Sequence, residues 1–417
     1  MKKITALILH RFVFLLTFCF VLGFNNGAYP FLEYLQRVLI PLLHQFIPWF
    51  AWKFLQLGYP ITVFTNGSGD TTYDYVLLFV VMLTAIAGTV VWSVLDRKRK
   101  SHDQLFYWTT VILRFYVGSM LVHYGLAKLN NGQFPGLSPR TLMSSYGESS
   151  PMGLAWRFLG FSEGYKTFMF IAEMMGILLF FRRTATLGAL LCLMTSLNIM
   201  MINYCFDVPV KLLTTALVSM CLILLSPDIV RLFRLFFLGQ TIALNNPKAP
   251  EFRKRWMKIT KLVLKYVYIA VYIALPFLMS IKVMVSGEAQ VNRSALYGAY
   301  EIEGIDWKER PDPDDEAEAR SWEMLAFDVN DYAVVKEQNG EKVWLTHQVD
   351  TVKKTLKIQP SVDPETNYIF TYHRPDHEHL VLDGKLFGRK VTIRLLLKKY
   401  QLTEIPFRWI NEYPYNR

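Results

Sequence analysis

Over the first two thirds of the chain, apolar residues run in long unbroken blocks; over the last third they alternate with polar ones. The blocks fall at about 5 to 24, 72 to 95, 104 to 129, 164 to 181, 184 to 206, 209 to 226 and 259 to 285. At about 1.5 Å of rise per residue, each is long enough for a helix that crosses a bilayer. A further stretch, 29 to 61, is interrupted by Pro41, Pro48 and Pro60 and by Arg37, His44 and Lys53. It reads as re-entrant or interfacial. After Pro227, DIVRLFRLFFL reads as an amphipathic surface helix, and residues 130 to 163 as a loop and candidate lid. From about 286 the period becomes two, in WEMLAFDV, YAVVKE, KVWLTH, TLKIQ, YIFTYH, HLVLDG and KVTIRLLL, with hairpin signals at Asn339-Gly340 and Asp383-Gly384. The acidic piece ERPDPDDEAEAR, 309 to 320, reads as an exposed loop.

The predicted fold is a membrane all-α bundle of about seven transmembrane helices around a four-helix core, followed by a C-terminal antiparallel β sandwich or small barrel. Four regions follow: N-terminal helices with the interfacial segment at 1 to 103, the core at 104 to 226, the surface helix and last span at 227 to 285, and the β domain at 286 to 417.

Composition agrees with a bilayer as the solvent. Of the 417 residues 52% are hydrophobic and the mean hydropathy is +0.23, too apolar for an ordinary soluble enzyme. The net charge of +11 is unevenly spread. Residues 1 to 285 carry 27 Lys and Arg against 11 Asp and Glu, and residues 286 to 417 carry 18 against 23. The excess therefore reports topology and not a nucleic-acid partner. Placing DRKRK at 96 to 100, Arg182 with Arg183, and the loop from Arg231 to Lys258 in the cytoplasm puts the N-terminus inside and the β domain outside. The N-terminal block lacks a small-residue cleavage site and reads as an uncleaved first helix. Cys19, Cys192, Cys205 and Cys221 all lie in apolar blocks, which points away from a disulfide framework or thiolate metal site. The partners implied are the lipid bilayer and a membrane or extracytoplasmic protein.

Candidate chemistry concentrates in RFYVGSMLVHYGLAK, where Arg114, Gly118, Leu121, Gly125 and Lys128 share one helical stripe. That stripe must face protein, because an arginine facing hydrocarbon costs several kcal/mol. Glu173, the acid inside the next apolar block, is expected to pair with Arg114 as an architectural ion pair or as part of a proton route. Lys128 reads either as a lysine snorkelling to the interface or as a candidate catalytic base, with Tyr124 one turn back to orient it and His123 beside it. Asn203, Asp207 and Lys211 read either as a capped hairpin turn or, joined to Lys128, as the floor of an outward pocket. His373, His377 and His379 read as a solvated hairpin end, with a metal site as the rarer alternative.

Arg114, Gly118, Gly125, Lys128 and Leu129, then Glu173, Gly176, Arg182 and Arg183, resemble the pattern of the DoxX family of small four-helix membrane proteins over about residues 104 to 226. YGLAKLNNGQF also resembles the region around the catalytic lysine of vitamin K-dependent gamma-carboxylase and its bacterial relatives. The first resemblance implies a bacterial inner membrane and quinone-linked redox chemistry; the second implies a carboxylase-like enzyme with Lys128 as base. A non-enzymatic scaffold whose β domain binds a partner or ligand is the third reading left open.

Overall fold

The computed structural model describes residues 2–63, 67–99, 101–129, 132–243, 254–286, 293–361, 363, 365–405, 408–410 and 412. The chain divides into two units, Met1–Pro135 with Pro151–Ser286, and Gly136–Ser150 with Gly287–Arg417.

The first unit is helical. It contains α1 (Lys2–Gly23), α2 (Leu32–Phe50, widening to π pitch over Ala51–Leu55), α3 (Thr72–Leu95) and α4 (Asp103–Leu129). A short α5 (Pro139–Leu142) belongs to the second unit. The first then resumes with α6 (Pro151–Phe161), α7 (Glu163–Met174, tightening to 3-10 over Met175–Phe180), α8 (Ala185–Cys205), α9 (Lys211–Leu225), α10 (Ile229–Leu238), α11 (Arg255–Ile269) and α12 (Leu275–Ser286). Among the described residues six helices are long and apolar enough to cross a membrane, or seven if α9 and α10, bent by 81°, count as one span.

Three assignments differ from the sequence pattern, the first being the 209 to 226 block, α9, which reaches span length only together with α10. The 164 to 181 block is not among the six, because it breaks into α7 and its 3-10 tail. Conversely, Leu32–Leu55 is one continuous apolar helix and does qualify. Its neighbours nevertheless bring the chain back to the end it left. α1 and α3 pack antiparallel, with Gly23 against Leu77, Gly88 against Leu15, and Arg11 donating to Ser93 Oγ at 3.0 Å and to the Asp96 carbonyl at 2.8 Å. Residues 24 to 71 therefore begin and end at one level. α10 turns large apolar side chains outward, Phe233, Phe236 and Phe237 among them.

The second unit is a closed antiparallel barrel of eight strands in sequential order. They are β1 (Arg293–Trp307), β2 (Trp322–Val329), β3 (Tyr332–Glu337), β4 (Lys342–Asp350), β5 (Thr355–Pro360), β6 (Tyr368–His373), β7 (His379–Leu386) and β8 (Arg389–Leu397). Closure by β1 with β8 decides between sandwich and barrel and leaves no free edge. Alternate residues such as Tyr300, Phe327, Leu356, Phe370, Leu382 and Ile393 meet inside. β1 is absent from the sequence pattern because its register shifts twice, between Arg293 and Gly298 and between Ile302 and Gly304, which breaks the alternation.

Asn339-Gly340 turns the β3–β4 hairpin, with Gly340 at φ 87°. Asp383-Gly384 does not turn. It lies within β7, where a Cβ on Gly384 would fall 2.4 Å from the Ile369 carbonyl oxygen, so the glycine serves close strand approach. The β7–β8 turn is at Phe387-Gly388, with φ of 49° and 79°. The acidic piece is not a loop throughout. Pro313–Ser321 is a helix, α13, with Pro313 in its first turn, Asp314, Asp315 and Glu316 beside it, and Arg320 in its last turn, the arrangement the helix dipole favours.

His347 on β4 is 1% exposed, stacks edge-on to Phe327 at 5.1 Å, and has no hydrogen-bond partner for either ring nitrogen among the described residues. Burial holds it below its ordinary value of 6.5, with Asp331 and Asp328 opposing. The unfolded chain therefore takes up a proton below pH 6.5 that the folded barrel refuses. Stability should be full above about that pH and fall as pH drops toward the depressed folded value. Denaturant unfolding of the full chain, followed by barrel tryptophans from pH 5 to 8, should lose that part of its pH dependence in His347→Phe.

Candidate functional site

The α4–α7 crossing sets the site. A Cβ on Gly118 would lie 2.9 Å from the Gly176 carbonyl oxygen, and the reverse holds for Gly176, so the backbones touch where only glycine fits. The helices run antiparallel from that point. Gly125 meets Phe170 and Glu173, and Lys128 extends to the Glu173 carboxylate, with Nζ at 2.7 and 2.8 Å from its two oxygens. Both side chains are buried, 5% and 2% exposed. The Lys128 ammonium also donates to Gln133 Oε1 at 2.9 Å, approaches the Tyr124 carbonyl at 3.5 Å, and lies 5.4 Å from the centre of the Phe134 ring. All three N–H bonds of Lys128 thus have acceptors, one of them a neutral amide oxygen just beyond the end of α4.

The expected pairing of Arg114 with Glu173 is corrected by this arrangement: Glu173 pairs with Lys128. A pair between Arg114 and Glu173 requires the start of α4 and the end of the 3-10 tail of α7 to lie level. Instead α4 starts eleven residues before Arg114, whereas the 3-10 tail of α7 finishes beside it, so Arg114 Nε donates to the Leu179 carbonyl at 2.7 Å. Arg114 and Lys128, fourteen residues apart on α4, are separated by about 21 Å along the axis. A small cavity beside Arg114 is lined by Tyr107, Thr110, Arg182, Thr186 and Asp228.

Of the other predicted residues Tyr124 reaches Lys128 through its carbonyl, while Asn203, Asp207 and Lys211 bond within their own turn. Asn203 on α8 is buried and donates to the Val210 carbonyl at 3.4 Å and Thr214 Oγ1 at 3.3 Å, closing the hairpin. Asp207, at φ 50°, pairs with Lys211 at 2.7 Å. Asp70 completes this turn by accepting from the Lys211 and Leu212 backbone N–H groups at 2.7 and 2.9 Å, capping α9 two residues beyond Pro209. These are the bonds of a capped turn. His123 is half-buried against the backbone of Tyr272. In the barrel His379 bonds Asp376 at 2.7 Å and His373 faces Asp383 at 3.8 Å, two separate pairs.

Gln133 and Phe134 escaped the sequence reading. The signal available was a polar residue and an aromatic one directly behind the helix that carries Lys128. The candidate lid is also divided: Gly136–Ser150 belongs with the barrel. Ser138 Oγ donates to Asp328 at 2.9 Å, Arg140 pairs with the same buried carboxylate at 3.1 Å, and Met143 packs on Ala299, Met324, Ala326 and Val334.

Over 116 residues, 28% of its length, the chain is 40% identical to the uncharacterized protein YwoB of Bacillus subtilis (strain 168), covering 73% of that protein. The chain belongs to the YwoB family. No family model and no solved structure matches it. YwoB is shorter than this chain, so whatever the two share occupies little more than a quarter of the present sequence.

Proposed function

We propose that the chain is a multi-pass bacterial inner-membrane protein of DoxX type, N-terminus cytoplasmic and barrel extracytoplasmic, whose Lys128–Glu173 pair is an outward-facing polar site for a quinone serving quinone-linked redox chemistry. One observation carries the reading. The third bond of a buried ammonium goes to the neutral amide oxygen of Gln133, on the segment just after α4. A quinone carbonyl is an acceptor of the same kind, able to take that place, and Phe134 offers a ring beside it. In this reading Lys128 orients the carbonyl, and the Lys128–Glu173 pair holds a proton for the reduced oxygen.

The same geometry favours a second reading on one point. With every Lys128 proton engaged by the protein, the pair also has the form of an architectural lock in a scaffold whose barrel binds a partner, and a lysine so engaged stands against the carboxylase-like reading.

The test is twofold. A reporter fused after Arg417 should be extracytoplasmic and one inserted within residues 240 to 250 cytoplasmic; both on one side would remove the orientation. Protein purified in mild detergent should release a quinone on solvent extraction, identified by mass spectrometry. The variant Lys128→Met with Glu173→Leu should carry at least tenfold less. Wild-type protein without quinone would overturn the quinone assignment and leave the scaffold.

A further inference from the structure

At the opposite end of α4 from Lys128, a cleft of about 840 Å³ opens between α1, α4 and α11. Its wall is largely hydrocarbon and aromatic, including Phe18, Leu22, Phe31, Ile112, Phe115 and Tyr268. Four cations sit on it, Arg114, Arg182, Lys261 and Lys265, and none of the residues lining it is acidic. Lys265 lies within electrostatic range of the other three.

Arg114 is the informative member. It is only 7% exposed, it donates through Nε to the Leu179 carbonyl, and neither it nor Lys265 has a carboxylate partner among the described residues. Lys261 donates to Tyr107 Oη at 3.2 Å, and Lys265 lies over the Phe181 ring at 4.5 Å. Asp228 in the adjoining small cavity accepts from Thr186 at 2.9 Å and pairs with Arg231 at 3.0 Å. Arg114 and Lys265 thus bring two positive charges to the cleft wall with no carboxylate bonded to either among the described residues. A buried guanidinium aimed into a greasy cleft requires an anion, and the cleft requires hydrocarbon.

We infer that this cleft binds an anionic phospholipid, its phosphate among Arg114, Arg182, Lys261 and Lys265 and an acyl chain along α1 and α4. The inference rests on the membrane reading above, under which these cations lie at the cytoplasmic surface, where anionic headgroups are drawn to basic residues. Trp256 on the same wall has the amphipathic ring suited to headgroup depth. A free phosphate would satisfy the cations and leave the hydrocarbon wall without an occupant, which is why the lipid is the better match.

The experiment is native mass spectrometry of the full chain in mild detergent, titrated in turn with phosphatidylglycerol, phosphatidylcholine and glycerol phosphate. Wild type should retain phosphatidylglycerol at least tenfold over phosphatidylcholine and should not retain glycerol phosphate. Lys261→Gln with Lys265→Gln, both on the α11 face, should bring the two lipids level while the protein stays monodisperse. Arg114→Gln should do the same if it folds. Equal retention of the two lipids by wild type, an unchanged preference in the double variant, or retention of glycerol phosphate as strong as that of the lipid would each overturn the site. Protein that is monodisperse without detergent would instead remove the membrane reading, a separate failure.

Discussion

Glu173→Gln is expected to lower the unfolding free energy of the helical unit by about 3 to 5 kcal/mol, the cost of stranding one member of a buried ion pair. The loss falls on Lys128, whose ammonium is 5% exposed and would keep only amide and carbonyl acceptors. Lys128→Met should cost a similar amount by stranding the carboxylate. Lys128→Met together with Glu173→Gln should cost much less than the sum of the two, since neither charge is left to solvate, so the double-mutant cycle should show strong coupling. Arg114→Met combined with Glu173→Gln should instead be additive, because Arg114 bonds Leu179 and not Glu173. Thermal unfolding in detergent, read by helical circular dichroism, measures all four. Additive losses for Lys128 and Glu173 would show that the pair does not form.

Arg140→Met should destabilise the barrel by about 1 to 3 kcal/mol. Asp328 is fully buried and accepts from Ser138, from its own chain at Val329 and from Arg140; without the guanidinium its charge is under-compensated. The figure lies below that for Glu173 because Arg140 is 41% exposed and water already shares its charge. Asp328→Asn in the Arg140→Met background should recover part of the loss, as an amide needs no counter-ion. Limited proteolysis should meanwhile cut within residues 136 to 150 faster in Arg140→Met than in wild type. Unchanged cleavage and stability would mean that this segment is not held on the barrel by Asp328.

What the linear sequence determined about this protein is what depends on neighbours along the chain. Apolar blocks mark the helices, and α3 follows its predicted bounds because Thr71 and Asp74 form a capping box at its start. Seven of the eight strands appear as period-two runs, and the stripe from Arg114 to Lys128 lies buried within the helical unit. Tertiary structure decided what depends on relative translation and on distant closure. Sliding α7 along α4 by about four turns changes the partner of Glu173 from Arg114 to Lys128, and that offset is set by a backbone contact between Gly118 and Gly176 that no local pattern encodes. Closure of β1 on β8 made the barrel, and bulges that serve closure hid β1 from its own alternation. Gly136–Ser150 joined the barrel for the same kind of reason: Asp328, nearly two hundred residues away, needed its hydroxyl and its guanidinium.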